Sequence, residues 1–213
     1  MAQSTFLDFV RDQLPAAPAR VLEVGCGQGE LTTSLATAGY EMLGIDPLAP
    51  QGDLFRRVRL EDLEPADGPF DAVIASRSLH AIRNLDDALE GVVALLRPRG
   101  LFVLDEIAWD RADDATLDWL YGRRRALAAA GQGEAPASLR AQRDEWEAEH
   151  VGVHGHDALR GAIARRFEER AFAWAPFLYR LHGGVAAEVL EQALIDSGAI
   201  RAIGFHYAGV VRG

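Results

Sequence analysis

Apolar positions along the chain follow two rhythms that alternate. Short continuous runs of strand length occur at Val21-Leu22 with Val24, at Tyr40–Ile45, at Phe70–Ser76 and at Leu101–Leu104. Such runs suit strands buried on both faces of a sheet. Between them lie stretches of helical spacing. Leu31, Leu35 and Ala38 form one stripe, and Leu85, Leu89, Val92, Val93 and Leu96 form another. Val58–Leu60 predicts a brief third strand. Strand and helix alternating in this way imply a parallel sheet with right-handed crossovers. Residues 4 to 14 predict a first helix, with Ser4 or Thr5 as N-cap and Pro15 and Pro18 ending it. The turn formers from Pro47 to Asp53 predict that the second crossover helix is abbreviated. Pro65–Pro69 reads as a loop, and Arg97-Pro98-Arg99-Gly100 stops the helix before the fifth strand.

The rhythm changes at residue 107. Helices are expected at 113–130, 138–150 and 157–167, in a stretch of about sixty residues where one crossover helix would suffice. We read 107–166 as a helical lid inserted after strand five, with Trp109, Trp119, Tyr121 and Trp146 as its aromatic anchors. A strand at 169–181, a helix at 185–197 and a long strand at 200–211 complete the pattern. The expected organisation is one domain over 1–213, with a cofactor-binding half at 1–106, the lid at 107–166 and a strand-helix-strand at 167–213.

Candidate chemistry concentrates in residues 20 to 30. A strand ends at Val24, Gly25, Gly27 and Gly29 follow at two-residue spacing, and a helix begins. In an open parallel sheet such a turn lies at the carboxyl edge, where ligands bind. Glycine permits positive φ and lets a ligand lie on bare backbone. The helix start offers unpaired N–H groups to an anion. The next apolar run ends at Asp46, a carboxylate able to accept both hydroxyls of a ribose, and another acidic pair stands at Glu61-Asp62.

The series VLEVGCGQG, GIDP, LEDL, FDAVIASRSLH and LLRPRGLFVLDE resembles the motif series of class I S-adenosylmethionine-dependent methyltransferases, over about residues 20 to 106. The glycines read G-x-G-x-G, not the G-x-G-x-x-G usual in nicotinamide-binding folds. The resemblance implies a Rossmann-like, doubly wound α/β fold, with a mostly parallel seven-stranded sheet and an antiparallel last strand. It implies S-adenosyl-L-methionine as cofactor. Gly25, Cys26, Gly27 and Gly29 would approach its methionine part and ribose. Glu23 would orient the loop or reach the amine through water. Asp46 would take the ribose hydroxyls, and Pro47 or Leu48 would pack on the adenine. Adjacent strand residues face opposite ways, and of Glu61 and Asp62 we choose Asp62 as acceptor for the adenine amino group, with the Leu63 backbone beside the ring. Ser76 and Arg77 would edge the methionine tail.

Methyl transfer is an in-line displacement whose main demands are alignment and exclusion of water. A base is needed only for an acceptor that holds its proton at neutral pH. Candidates are His80, His154, His156, Tyr179, His182 and Glu106. His80 follows the fourth strand, near the expected methyl end. We favour a packing or hydrogen-bonding role for it, and keep it as the catalytic candidate should a base be used. The stretch Ala75-Ser-Arg-Ser78 stands where the family's N-P-P-Y signature for exocyclic amines would be, which favours a small-molecule acceptor. Histidines 150, 154 and 156 do not share one helical face, so no metal is expected.

Composition narrows the partners. The net charge of −10 argues against a nucleic-acid backbone. All 22 basic residues are arginine, which removes lysine as a base or Schiff-base former. The lone Cys26 fits a reducing compartment and reads as a small residue near the cofactor. With no signal-peptide pattern or membrane-length apolar run, a cytoplasmic monomer or homodimer away from membranes is expected. The expected function is methyl transfer to a small molecule. The alternative is a methyltransferase-like module that binds cofactor or a protein without turnover.

Overall fold

In the computed structural model, which describes residues 6–181 and 184–213, strands β1 (Arg20–Val24), β2 (Glu41–Ile45), β3 (Phe55–Arg56), β4 (Phe70–Ser76), β5 (Leu96–Ile107), β6 (Phe167–Ala175) and β7 (Gly204–Val211) form one sheet in the order β3-β2-β1-β4-β5-β7-β6. The pairs β1/β2, β1/β4, β2/β3 and β4/β5 are parallel. The sheet is mostly parallel, with antiparallel pairing toward its last strands, as the resemblance implied. Strand order reverses between β1 and β4, so the carboxyl ends of β1, β2 and β4 surround the switch point where open α/β sheets bind ligands.

Helices are α1 (Phe6–Gln13), α2 (Glu30–Thr37), α3 (Leu85–Leu95), α4 (Asp114–Ala129), α5 (Leu139–Glu149), α6 (His156–Arg166) and α7 (Val185–Asp196). The expected caps Ser4 and Thr5 of α1 lie outside the described residues, as does His182. The chain forms two compact units. One comprises the chain through Glu106 with Asp157–Ala173 and His206–Gly213, and the other comprises Ile107–His156 and Trp174–Phe205. Helix α6, read from sequence as part of the insertion, therefore belongs with the first unit.

Alternation along the strands explains the apolar runs of the first unit. Val21, Met42, Ala72, Ile74, Leu101 and Val103 share one buried cluster with Phe9, Val10 and Leu14 from the α1 segment and Leu35 of α2. Leu22, Val73 and Phe102 point the other way and are equally buried, and the Phe102 ring meets Phe167 at 4.9 Å. Arg166 of α6 ties that helix to α3 through Asp86 (2.7 Å) and Glu90 (3.0 Å).

The second unit has its own core of Ile107, Leu117, Leu120, Trp146, Phe177, Leu178 and Ile203. Trp146 Nε1 donates to the Trp109 carbonyl (3.2 Å), and His150 stacks on Trp109. Trp146 is buried in this core, and Trp109 and Trp119 pack against it. Glu191 of α7 is fully buried and accepts the N–H groups of Phe177, Leu178 and Tyr179 at 2.6–3.0 Å.

Four boundaries differ from the sequence reading, each for a tertiary reason. The third strand is Phe55–Arg56, paired with Gly44 and Ile45, and not Val58–Leu60. Leu60–Asp62 instead winds into a 3₁₀ turn that the Asp62 carboxylate closes by accepting the Arg59 N–H (3.0 Å). Arg97-Pro98-Arg99-Gly100 lies inside β5 as a bulge. Phe70 pairs with Leu96 and Ala72 with Leu101, so β5 spends five residues where β4 spends two. β6 stops at Ala175 because the next N–H groups go to Glu191 and not to a ladder. β7 begins only at Gly204, since the Ile203 carbonyl accepts from Ala108 (2.7 Å) and Arg201 N–H donates to Thr116 (3.0 Å). Between β2 and β3 the chain runs in turns and bends, where the sequence predicts an abbreviated or irregular crossover helix.

Gly44 sits in β2 where a Cβ would come within 2.7 Å of Thr32 Oγ1 and 3.0 Å of both Cys26 Cβ and Phe55. Gly91 in α3 has nothing within 4 Å of its Cβ position. Gly44→Ala should therefore destabilise by about 1–3 kcal/mol through overpacking, while Gly91→Ala should stabilise by roughly 0.5–1 kcal/mol through helix propensity. Urea unfolding of the two variants should show midpoints moving in opposite directions.

Candidate functional site

The bend after β1 is held by the end of β2. Gly25 N and Cys26 N both donate to the Ile45 carbonyl (2.9 and 3.0 Å), and Gly27 N donates to Asp46 Oδ2 (3.3 Å). Asp46 Oδ1 accepts the Leu48 N–H (2.8 Å), so its carboxylate is fixed from both sides. Each oxygen retains a lone pair for a further donor. Gly25 and Gly29 have φ of 75° and 79°, the left-handed region where a side chain would be strained. A Cβ on Gly29 would also collide with the Phe55 ring, which closes the back of the bend.

The N-cap of α2 is Gly29, which has no side chain to offer. Glu23, buried at the end of β1, does this work from a distance. Both the hydroxyl and the N–H of Thr32 in the first turn of α2 donate to its carboxylate. Glu23 therefore ties the start of α2 to the end of β1. Burial pushes its carboxyl up to about 7, against the lowering effect of the Thr32 bonds. The Cys26 thiol rises to about 12, through burial and then through Glu23 and Asp46 nearby. It stays a neutral, small, buried group.

A cleft of about 510 Å³ opens beside this bend. Of the residues expected to bind cofactor, Gly25, Asp46 and Pro47 line it. Glu61 lines it and Asp62 does not, because Asp62 is used in capping its own turn. Strand alternation does not govern these two acids, since Leu60–Asp62 is a 3₁₀ turn and not a strand end. Leu63 lies off the cleft, as do Cys26, Gly27, Gly29 and Glu23. Ser76 and Arg77 are not in its wall either. Ser76 Oγ meets Asp105 Oδ2 (3.4 Å), and Arg77 N–H donates to the Asp105 carbonyl (2.7 Å). The wall is made two residues later by Ser78, with Ala81, Ile82 and Arg83. Sequence reasoning missed these residues, together with Val58, Arg59 and Leu60. The available signal was that they follow strand ends at the same sheet edge. Ser78 Oγ is buried without a hydrogen-bond partner, and Ser78 Cβ lies 3.5 Å from where a Gly25 Cβ would be.

Beyond Ser78 the loop is clamped from β5. Glu106, fully buried, accepts the N–H groups of Leu79 (2.9 Å) and His80 (3.2 Å) on Oε2, while Oε1 lies 2.5 Å from His80 Nδ1. The preceding acid, Asp105, is turned to His206 Nε2 (3.4 Å). Among the described residues, no group of three or more His, Cys, Asp or Glu is arranged to hold a metal ion, and no helix is long and apolar enough to cross a membrane.

The switch-point bend, its paired acid and the cleft define an α/β nucleoside-binding domain. A family model described as a methyltransferase domain matches residues 2–148, and the chain belongs to this family, the S-adenosylmethionine-dependent methyltransferases. A Mycobacterium bovis protein named as an uncharacterized methyltransferase is 31% identical over 116 residues, 50% of this chain and 46% of that protein. The ubiquinone biosynthesis O-methyltransferase of Xanthomonas oryzae pv. oryzae is 33% identical over 118 residues, 47% of this chain and 48% of that one. The chain thus spans about half the length of the curated relatives it matches. The S-adenosylmethionine dependent methyltransferase structure from Mesorhizobium loti shares the fold, with TM-score 0.58 and 18% identity over 97% of this chain and 98% of that one. The residues present fit the family's cofactor, since bare glycine backbone, a fixed carboxylate and an unpaired buried hydroxyl converge on the cleft.

The raised carboxyl of Glu23 has a consequence for stability. Its folded value of about 7 exceeds the ordinary 4.5, so the folded protein holds this proton where the unfolded chain has lost it. The stabilisation is complete below 4.5 and is lost as pH rises to about 7. Glu23→Gln does not titrate. The difference in Tm, variant minus wild type, should therefore move in favour of the variant from pH 5 to pH 8, as scanning calorimetry would measure.

Proposed function

We propose that this protein transfers the methyl group of S-adenosylmethionine to a small-molecule acceptor by in-line displacement at carbon. The observation that carries the reading is the Asp46 carboxylate, tied by Gly27 N–H to the glycine bend and standing in the wall of the cleft. When bound, the cofactor supplies a methyl group on a sulfonium, an activated carbon with a neutral leaving group.

The chain's own residues then have distinct tasks. Asp46 accepts from the ribose hydroxyls. Pro47 supplies an apolar surface for the adenine, and Glu61 is the acid placed to accept from its amino group, in the role first assigned to Asp62. The Gly25–Gly29 backbone and the first turn of α2 receive the amino-acid end. Ser78 offers its unpaired hydroxyl at the same place. Glu23 keeps the bend open by holding α2, so its contribution is to geometry. Preorganised donors and acceptors of this kind contribute mainly by alignment.

Calorimetry should detect binding of both S-adenosylmethionine and S-adenosylhomocysteine. Asp46→Asn, which retains one oxygen for the bend, should weaken binding roughly 10- to 100-fold, the value of one or two charge-assisted hydrogen bonds. Failure of both compounds to bind wild type at millimolar concentration would end the reading. Incubation of the protein with isotopically labelled donor and a metabolite extract should yield a labelled small molecule. Binding without any labelled product would favour the non-catalytic module.

A further inference from the structure

We propose that Glu106 fixes His80 in the tautomer protonated on Nδ1, so that Nε2 carries the lone pair and takes the proton of the methyl acceptor. This rests on the reading above and specifies the acceptor as a hydroxyl or amine that keeps its proton at neutral pH.

Burying a carboxylate is costly unless its oxygens are satisfied, and Glu106 is fully buried at the end of β5. Its Oε2 is satisfied by two backbone N–H groups, one of them from His80 itself. Its Oε1 faces His80 Nδ1. One side chain thereby holds the backbone and the ring of the same histidine, which sets the ring's orientation as well as its proton. An acceptor oxygen at Nδ1 calls for a hydrogen there, which leaves Nε2 unprotonated in the neutral ring. The imidazole is also the accessible member of the pair, 23% exposed against 0% for the carboxylate. Along the chain His80 falls between Ser78 and Ala81, which line the cleft, and is not itself one of the lining residues.

In the step itself, the acceptor atom forms its bond to the methyl carbon as the carbon–sulfur bond breaks, with that electron pair going to sulfur. The proton leaving the acceptor passes to His80 Nε2, and the resulting imidazolium keeps its Nδ1–H on Glu106. Glu106 touches neither substrate nor cofactor and is a positioning residue.

The tautomer is directly observable. Full-length protein labelled with ¹⁵N in its histidine rings, at pH 8, should give the Nδ1–H pattern for His80 in long-range proton–nitrogen correlation spectra, assigned by its loss in His80→Asn. In Glu106→Gln the amide oxygen can keep the two backbone N–H groups while the amide nitrogen donates to Nδ1. The proton should then move to Nε2, with S-adenosylhomocysteine affinity unchanged. With the acceptor identified, Glu106→Gln should lower kcat by roughly 10²–10⁴-fold, the usual scale of general-base catalysis, with little change in KM. Wild-type His80 carrying its hydrogen on Nε2, or doubly protonated at pH 8, overturns the proposal, as does an unchanged tautomer or kcat in Glu106→Gln. Should that variant not fold, the wild-type spectrum decides alone. The expected tautomer in a protein that binds neither cofactor form would sink the methyltransferase reading and not the assignment of His80.

Discussion

The three hydrogen bonds that fasten the glycine bend to the end of β2 are the constraint on which the site depends. Two are donated to the Ile45 carbonyl and one to the Asp46 carboxylate. They convert two loops at neighbouring strand ends into one surface. The parallel register of β1 and β2, Val24 opposite Ile45, puts both loops at the same height. The left-handed glycines let the backbone turn back far enough to reach. Behind the bend, Phe55, Thr32 and the absent side chains of Gly29 and Gly44 allow β1, β2 and α2 to approach closely.

A second theme is the use of buried acids as remote caps. Glu23 serves the start of α2, Glu106 the loop after β4, and Glu191 the chain after β6. In each case a carboxylate from regular structure collects N–H groups that a loop or helix start leaves unpaired. The energetic logic is shared. Burial raises the carboxyls of Glu23 and Glu191, and the donated hydrogen bonds oppose it. These groups therefore couple loop conformation to protonation. At Glu23 the partners include the Thr32 hydroxyl, and at Glu106 they include the His80 imidazole.

The first half of the chain was legible in sequence because its signals are local. A strand, a glycine triplet and a helix in succession specify a βα turn whatever surrounds them, and an acid at the next strand end lands beside it in any parallel sheet of this order. Local patterning failed where tertiary partners compete for the same backbone. Val58–Leu60 has strand composition, yet Asp62 closes a turn there and Phe55–Arg56 pairs in its stead. The choice of Asp62 over Glu61 assumed strand alternation, whereas in this turn Glu61 lines the cleft and Asp62 caps the turn. Ser76 and Arg77 both bond to Asp105, and the residue of this loop that lines the cleft is Ser78, two positions on from Ser76. Pro98 and Gly100 read as a stop signal, and pairing with β4 absorbs them as a bulge.

By itself the sequence determined the fold class, the family, the bend and Asp46, all of which follow from spacing within a few residues and from the order of elements. Only the tertiary structure decided which acids turn inward and what they hold. Glu106 and His80 are 26 residues apart, and Glu191 lies 12 to 14 residues from the N–H groups it receives. A carboxylate's partner is fixed by which strand ends and loops the sheet brings together, and desolvation makes that choice consequential. Neither the meeting nor its cost is written in the residues flanking the acid.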